Sequence, residues 1–186
     1  MGRELFFHEA ELFERRAGLP WELVAYFHDV GKGHVVYQSG VVGNYMCHEV
    51  YSAAIAYMAL RELGEFGARA VATAVLLHHH AMERVEMCAY LFRHLVLSPR
   101  FEPAEGFDEL LEELVGVRAP VVSNAWDTAV YAASDPKAYA VAQIALGPLV
   151  VADNIVASRR GGKPHRLLLE LARELPAVAK YLMPKH

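Results

Sequence analysis

The chain has 186 residues, 54% of them hydrophobic and 22% charged, which suits one folded domain over residues 1–186 and excludes a disordered chain. A net charge of −4 argues against tight, charge-driven DNA binding by the chain alone, because dedicated nucleic-acid binders are usually basic. No apolar run reaches the roughly 18–20 uninterrupted residues of a membrane span, and the N-terminus is charged from Arg3, so neither a membrane segment nor a signal peptide is expected.

The hydrophobic period is helical almost throughout. "RELFFHEAELFERRAG" places apolar residues at three- and four-residue spacing and stops at Gly18. In "LPWELVAYFHDVG", Pro20 opens a helix and Gly31 breaks it. Residues 32–46 contain Gly33, Gly40 and Gly43 and read as a loop with room for a short extended piece. "CHEVYSAAIAYMALRELG" is an amphipathic helix ending at Gly64, and "FGARAVATAVLLHHHAM" follows after a short turn. "MERVEMCAYLFRHLVLS" is a further helix, stopped by Pro99, and "PAEGFDELLEELVG" is short and acidic. "SNAWDTAVYAAS" starts with Ser123 as its N-cap. "DPKAYAVAQIALGPLVVADNIVASRRGG" opens with Asp135 as N-cap and Pro136 at the first helical position. Its middle is the most apolar stretch of the chain; Pro148 and Asp153 interrupt it, so it reads as a buried helix. "KPHRLLLELARELPAVAKYLM" closes the chain. No segment alternates like a strand, and no repeat or linker is visible. The expected fold class is all-α, a compact helical bundle with short connections. No P-loop motif occurs.

Cys47 and Cys88 belong to no C-x-x-C pair and read as two buried free thiols, with a reducing cytoplasm as the expected setting. The ten histidines are the compositional oddity, because imidazole is the commonest protein ligand for transition metals. Residues 74–83 read "AVLLHHHAME". Adjacent helical residues differ in direction by about 100°, so two of the rings can flank one cavity while the third points elsewhere. Paired imidazoles inside an apolar run must be satisfied, and a metal does that.

"YFHDVGK", residues 26–32, supplies a second cluster. Gly31 breaks the helix just after His28 and Asp29, which lets both side chains enter one crevice. An imidazole with a carboxylate suits Mn, Fe, Co, Ni or Zn. Lys32 follows one turn later and can place a positive charge beside a metal-bound anion. His8 lies mid-helix, and His48 opens the "CHEVYSAA" helix. Asp153 is the one acidic residue of "LGPLVVADNIVAS"; it is either a ligand or a core ion pair with Arg159 or Arg160. Ser52, one turn after His48, either orients a ligand or packs as an ordinary helix serine. "SRRGGKPHR" gathers Arg159, Arg160, Lys163 and Arg166, a phosphate-attracting cluster or a solvated loop. "FEPAEGFDELLEEL" carries six carboxylates and should repel DNA, as a solvent face or a surface for a protein partner.

In chain order these residues read His8, His28-Asp29 with Lys32, His48, the paired histidines and Asp153. That order resembles the HD-domain metal-dependent phosphohydrolase superfamily, an all-helical fold, and within it the HD nuclease of type I CRISPR systems. "HDVGKGHVVYQSGVVGNYMCHEVYSAA" is similar to that family's HD-x-GK segment with its H-E-x-x-S helix, and "VVADNIVASRR" to its final aspartate segment. The resemblance spans residues 8–160 and implies an HD-domain helical bundle with a two-metal site. His8, His28, Asp29 and Asp153 would hold one ion. Asp29, His48 and two of the triple would hold the other, with His78 and His79 favoured and His79 with His80 as the alternative register. The implied cofactors are two divalent ions drawn from Mn, Ni, Co, Fe or Mg, with Asp29 and Lys32 at the chemistry. The implied substrate is single-stranded DNA. No helicase motif is present, so the stand-alone form is implied, with a separately encoded helicase and a CRISPR effector complex as partners. Two other readings remain. One is an HD phosphohydrolase of nucleotides or cyclic nucleotides, although the Gly-Tyr-Pro signature of the cyclic-di-GMP branch is absent. The other is a non-catalytic, metal-stabilised subunit.

Overall fold

The computed structural model describes residues 6–38, 45–79, 84–159 and 173. Among the described residues, α-helices follow one another with no strand beyond an isolated bridge between His34 and Pro103. They are α1 (Phe7–Ala17), α2 (Glu22–Phe27), a 3-10 turn (Val30–Gly33), α3 (Val35–Gln38), α4 (His48–Leu60), α5 (Glu65–Leu77), α6 (Arg84–Arg93), α7 (Phe107–Val115), α8 (Ala125–Ala133) and α9 (Pro136–Arg159). The all-α bundle expected from the hydrophobic period is the architecture found.

α4 is the axis of the bundle. It is buried continuously from His48 to Tyr57 and again at Leu60, and it packs on α5, α8 and the 3-10 turn. The seams are lined by small residues: Ala53, Ala54 and Ala56 on α4, and Ala68, Ala70, Ala72 and Ala74 on α5. Small side chains let the helix axes approach to the short end of the usual 8–10 Å. Larger groups such as Phe13, Phe27, Tyr51 and Ile55 fill the remaining space, each apolar one contributing roughly 1.5–3 kcal/mol by leaving water. α9 lies across α5 and α1.

Glycine ends α1 at Gly18 and α7 at Gly116, while α2 and α4 end at Phe27 and Leu60, before the expected stops at Gly31 and Gly64. Gly18 takes the left-handed conformation after α1, with φ 73°, and its N–H bonds to the Glu14 carbonyl. Several elements depart from expectation. The cap of α8 is Asn124 rather than Ser123: Asn124 is the extended residue, and its side chain accepts from the Asp127 N–H at 3.1 Å. The expected loop 32–46 begins as the 3-10 turn and α3, while residues 39–44 lie outside the described residues. Pro148 and Asp153 do not interrupt α9, which runs for 24 residues. By length and composition alone α9 is therefore long and apolar enough to cross a membrane, with a mean hydropathy of 1.7 over 18 residues. Only 28% of that window is buried, so α9 covers its neighbours with one face instead of lying inside the core.

The two cysteines also differ from expectation. Cys47 and Cys88 are not free thiols but a disulfide, with Cα atoms 5.6 Å apart across a separation of 41 residues. The start of α4 meets the middle of α6, a contact that no local spacing reveals.

Candidate metal centre

Three imidazoles are aimed by the same local device. His28 follows the last residue of α2, His78 follows the last residue of α5, and His48 is the first residue of α4. Each places Nδ1 on the carbonyl three residues back: Ala25 at 2.7 Å, Val75 at 2.5 Å and Tyr45 at 2.7 Å. A carbonyl only accepts, so Nδ1 carries the proton and donates. In a neutral ring Nε2 is then a bare lone pair, as in metal-ligating histidines whose other nitrogen is held by a carbonyl. The Nε2 atoms of His48 and His78 are buried with no hydrogen-bond partner.

The Asp29 carboxylate stands beside two of these rings, His28 and His48. Oδ1 lies 3.0 Å from His48 Nε2, and Oδ2 lies 3.4 Å from His28 Nε2 and 2.7 Å from Lys32 Nζ. The His48 contact is at ion-pair distance but lacks the alignment of a hydrogen bond. Burial would raise the Asp29 pKa; His48, His28 and Lys32 outweigh it and hold the carboxyl well below its usual range. Asp153, on α9, sits with Oδ1 3.6 Å from His28 Nε2. The His28 ring holds Asp153 low, against burial and the charge of Asp29. Burial pulls the His28 pKa down, but Asp153, Asp29 and the Ala25 carbonyl raise it overall. His78 and His79 move the other way. Burial, with the neighbouring His79, His48 and His28 rings, pushes His78 down to about 3. Burial, His48 and Arg84 push His79 down to about 4. Both rings are therefore neutral at pH 7, the form that ligates metals.

Two donor groups result. Ligand atoms of His28, Asp29 and Asp153 all lie within 4.8 Å of one another, as do those of His48, His78 and His79. The contact between Asp29 Oδ1 and His48 Nε2 joins the groups. The ring centroid of His48 lies 5.5 Å from that of His78 and 5.2 Å from that of His79.

The scaffold beneath the His28-Asp29 turn is tight. The Gly31 N–H donates to Ser52 Oγ at 2.8 Å, so Ser52 anchors the turn onto α4. A Cβ at position 31 would lie 2.2 Å from the His48 carbonyl oxygen. Only glycine permits this approach.

The structure thus brings together His28, Asp29, Lys32, His48, His78, His79 and Asp153. Of the two registers for the triple, it places His78 with His79; His80 lies outside the described residues. His8 is exposed on α1, with its ring beside Phe7 at 5.9 Å, and belongs to neither group. The carboxylates of α7 at Asp108, Glu109, Glu112 and Glu113 are exposed. Of the basic cluster, Arg159 is exposed, and Arg160, Lys163 and Arg166 lie outside the described residues. Sequence reasoning missed the Tyr45 carbonyl, which as a backbone group leaves no mark in the residue pattern. Glu49, the glutamate of the H-E-x-x-S helix, is not among the residues that sequence reasoning gives a role, yet it is buried.

Comparison with protein-family models and with curated proteins found no match.

Proposed function

We propose that the chain is a metal-dependent phosphodiesterase that hydrolyses single-stranded DNA, a relative of the HD nucleases whose motif order it resembles. The observation that carries this reading is a pair of adjoining donor groups: His48 and His78, whose Nε2 atoms are buried and partnerless, cluster with His79, and His48 touches the Asp29 carboxylate of the second group. Those donors fit a pair of divalent transition-metal ions such as Mn, Ni, Co or Fe. Mixed nitrogen and carboxylate ligation suits these metals, and a bare Nε2 in a buried hollow is satisfied by a cation. His28, Asp29 and Asp153 would hold one ion, and Asp29, His48, His78 and His79 the other. Such ions, when bound, activate water at neutral pH and neutralise phosphate charge.

The remaining work falls to the side chains. The carbonyls of Ala25, Tyr45 and Val75 hold the rings in one tautomer, so the donor atoms need no reorganisation. Asp29, with the Lys32 ammonium 2.7 Å from its Oδ2, belongs to the first group and touches His48 of the second. Lys32 rests on Asp29 and keeps a positive charge at the rim, where a phosphodiester's negative charge would be received and would grow. The −4 net charge implies weak intrinsic affinity for DNA. Delivery of the strand by a separate helicase and effector complex, in the cytoplasm, fits that weakness.

The test is incubation of purified protein with Mn²⁺ or Ni²⁺ and labelled single-stranded DNA, beside Asp29→Ala and His79→Ala. Degradation by the wild type, lost in both variants, supports the reading. Turnover of nucleotides or cyclic nucleotides alone would move the assignment to a nucleotide phosphohydrolase. Metal binding without turnover of either substrate would reduce the centre to a structural role.

A further inference from the structure

We propose that Cys47, Cys88 and Glu49 form a second metal site, built on thiolates, that becomes available when the disulfide is reduced and takes a thiophilic divalent cation of the zinc class. It adjoins the histidine centre through His48 but uses none of that centre's donors, and it does not depend on the nuclease reading. One sulfur from each cysteine and a carboxyl oxygen of Glu49 lie within 4.8 Å of one another, and all three residues are buried.

The Glu49 carboxyl carries the argument. Glu49 is 3% exposed, and its Oε2 has no hydrogen-bond partner. His48 Nδ1 stands 3.5 Å from Oε2, but its proton is committed to the Tyr45 carbonyl at 2.7 Å. Oε1 lies 3.7 Å from Cys88 Sγ, and a disulfide sulfur has no proton to donate. The oxidised pair therefore leaves a buried carboxyl without a donor, which is costly. Reduction gives Cys88 a thiol proton directed at Oε1. A cation would satisfy both sulfurs and the carboxyl together.

The chemistry balances with a dithiol as reductant. The Cys47–Cys88 bond breaks, and two electrons and two protons pass to the pair as the dithiol becomes a disulfide. Cation binding then releases both thiol protons to solvent. Zinc takes four ligands, and two thiolates with a carboxylate fill three. An apolar cavity of about 80 Å³, bordered by Glu49, Cys88, Val85 and Trp126, abuts the cluster. That exceeds the roughly 10–15 Å³ needed to hold a water, so a water held by the ion and by Glu49 would fit there as the fourth ligand.

The experiment is a titration of the reduced, metal-free full chain with Co²⁺ under anaerobic conditions. A thiolate-to-cobalt charge-transfer absorption should grow to saturation, within three equivalents because the histidine centre also takes cobalt, and be displaced by zinc. It should be absent in the oxidised protein and in Cys88→Ser; the histidine centre offers no sulfur and cannot produce it. Glu49→Gln should keep the absorption and weaken binding by at least about tenfold. A readout without substitutions is alkylation of the reduced wild type followed by mass: zinc should protect both thiols. No charge-transfer absorption in the reduced wild type, or alkylation indifferent to zinc, overturns the proposal.

Discussion

Replacing Gly31 by alanine tests the construction of the centre without touching a ligand. The added Cβ would lie 2.2 Å from the His48 carbonyl oxygen, 2.7 Å from the Ser52 nitrogen and 2.8 Å from Ser52 Oγ. The two nearest atoms are backbone of the most buried helix, so they cannot swing aside as a flexible side chain would. Overpacking of this kind costs about 1–3 kcal/mol. Pushing the turn away also breaks the buried bond from the Gly31 N–H to Ser52 Oγ, which adds about 1–3 kcal/mol. The expected loss is about 4 kcal/mol, a large share of the roughly 5–15 kcal/mol that holds a domain together. Gly147→Ala is the matched control. Gly147 is exposed in the middle of α9, and a methyl added there would meet nothing within 4 Å beyond its own helix and chain neighbours, so the helix gain of about 0.5–1 kcal/mol is set only against crowding by the following Pro148 and the change should stay within about 1 kcal/mol. Urea unfolding of both variants measures the changes, and calorimetric Mn²⁺ titration of Gly31→Ala should show weakened binding because the turn carries His28 and Asp29. A Gly31→Ala protein within about 1 kcal/mol of wild type, or with unchanged Mn²⁺ affinity, would refute the argument.

Reducing the disulfide of the metal-free protein should lower stability by about 4 kcal/mol, the loop-closure value for a crosslink of this span, given the separation of 41 residues; urea midpoints with and without reductant measure it, and equal midpoints would sink it. Metal-free protein should be most stable above pH 6.5 and weaken as pH falls from there toward about 4, because His78 and His79, depressed to about 3 and about 4, refuse in the fold the protons they accept at 6.5 when unfolded. The slope approaches about 1.4 kcal/mol per pH unit for a fully buried ring; the raised His28 opposes it, and a midpoint flat between pH 7 and 5 would contradict the burial of these rings. Metal content by mass spectrometry should fall from two ions to one in His78→Ala and stay at two in His8→Ala; loss of an ion on removing His8 would show that its exposed ring turns inward when metal is present.

How much of this is legible in the sequence follows from how far each signal reaches. The helix stop at Gly18 and the start at Pro136 are local events, and they fall where the sequence puts them; the stop expected at Gly31 comes earlier, at Phe27, and Gly31 lies in the 3-10 turn that follows. His28, Asp29, His48, His78, His79 and Asp153 are also legible, because a polar group in an apolar run demands a partner wherever that partner comes from. The cap of α8 differs by one residue because Ser123 and Asn124 are both good caps, and the backbone conformation decides between them. The cysteine pair is not legible because the tertiary fold, and not spacing, brings the sulfurs together across 41 residues. Pro148 looks like an interruption of α9, yet one missing N–H does not end a helix that is packed along a whole face.

The helix ends explain why adjacent residues can share one hollow. On a continuing helix His78 and His79 would diverge by about 100°. α5 ends at Leu77, so both rings face His48 with centroids 4.0 Å apart from each other. α2 ends at Phe27, which does the same for His28 and Asp29. The last carbonyls of a helix have no partner within it, and Ala25 and Val75 are among them; the His28 and His78 Nδ1–H groups fill that need. Each ring therefore caps its helix with one nitrogen and offers the other to the hollow. The C-terminal end of a helix also carries partial negative charge, which favours cations there. α4 points the opposite way, and the partial positive charge of its N-terminus lies beside His48, close to the ionised Asp29. Imidazoles at helix C-termini and a carboxylate near a helix N-terminus is an arrangement in which the backbone fields and the side chains favour the same occupant.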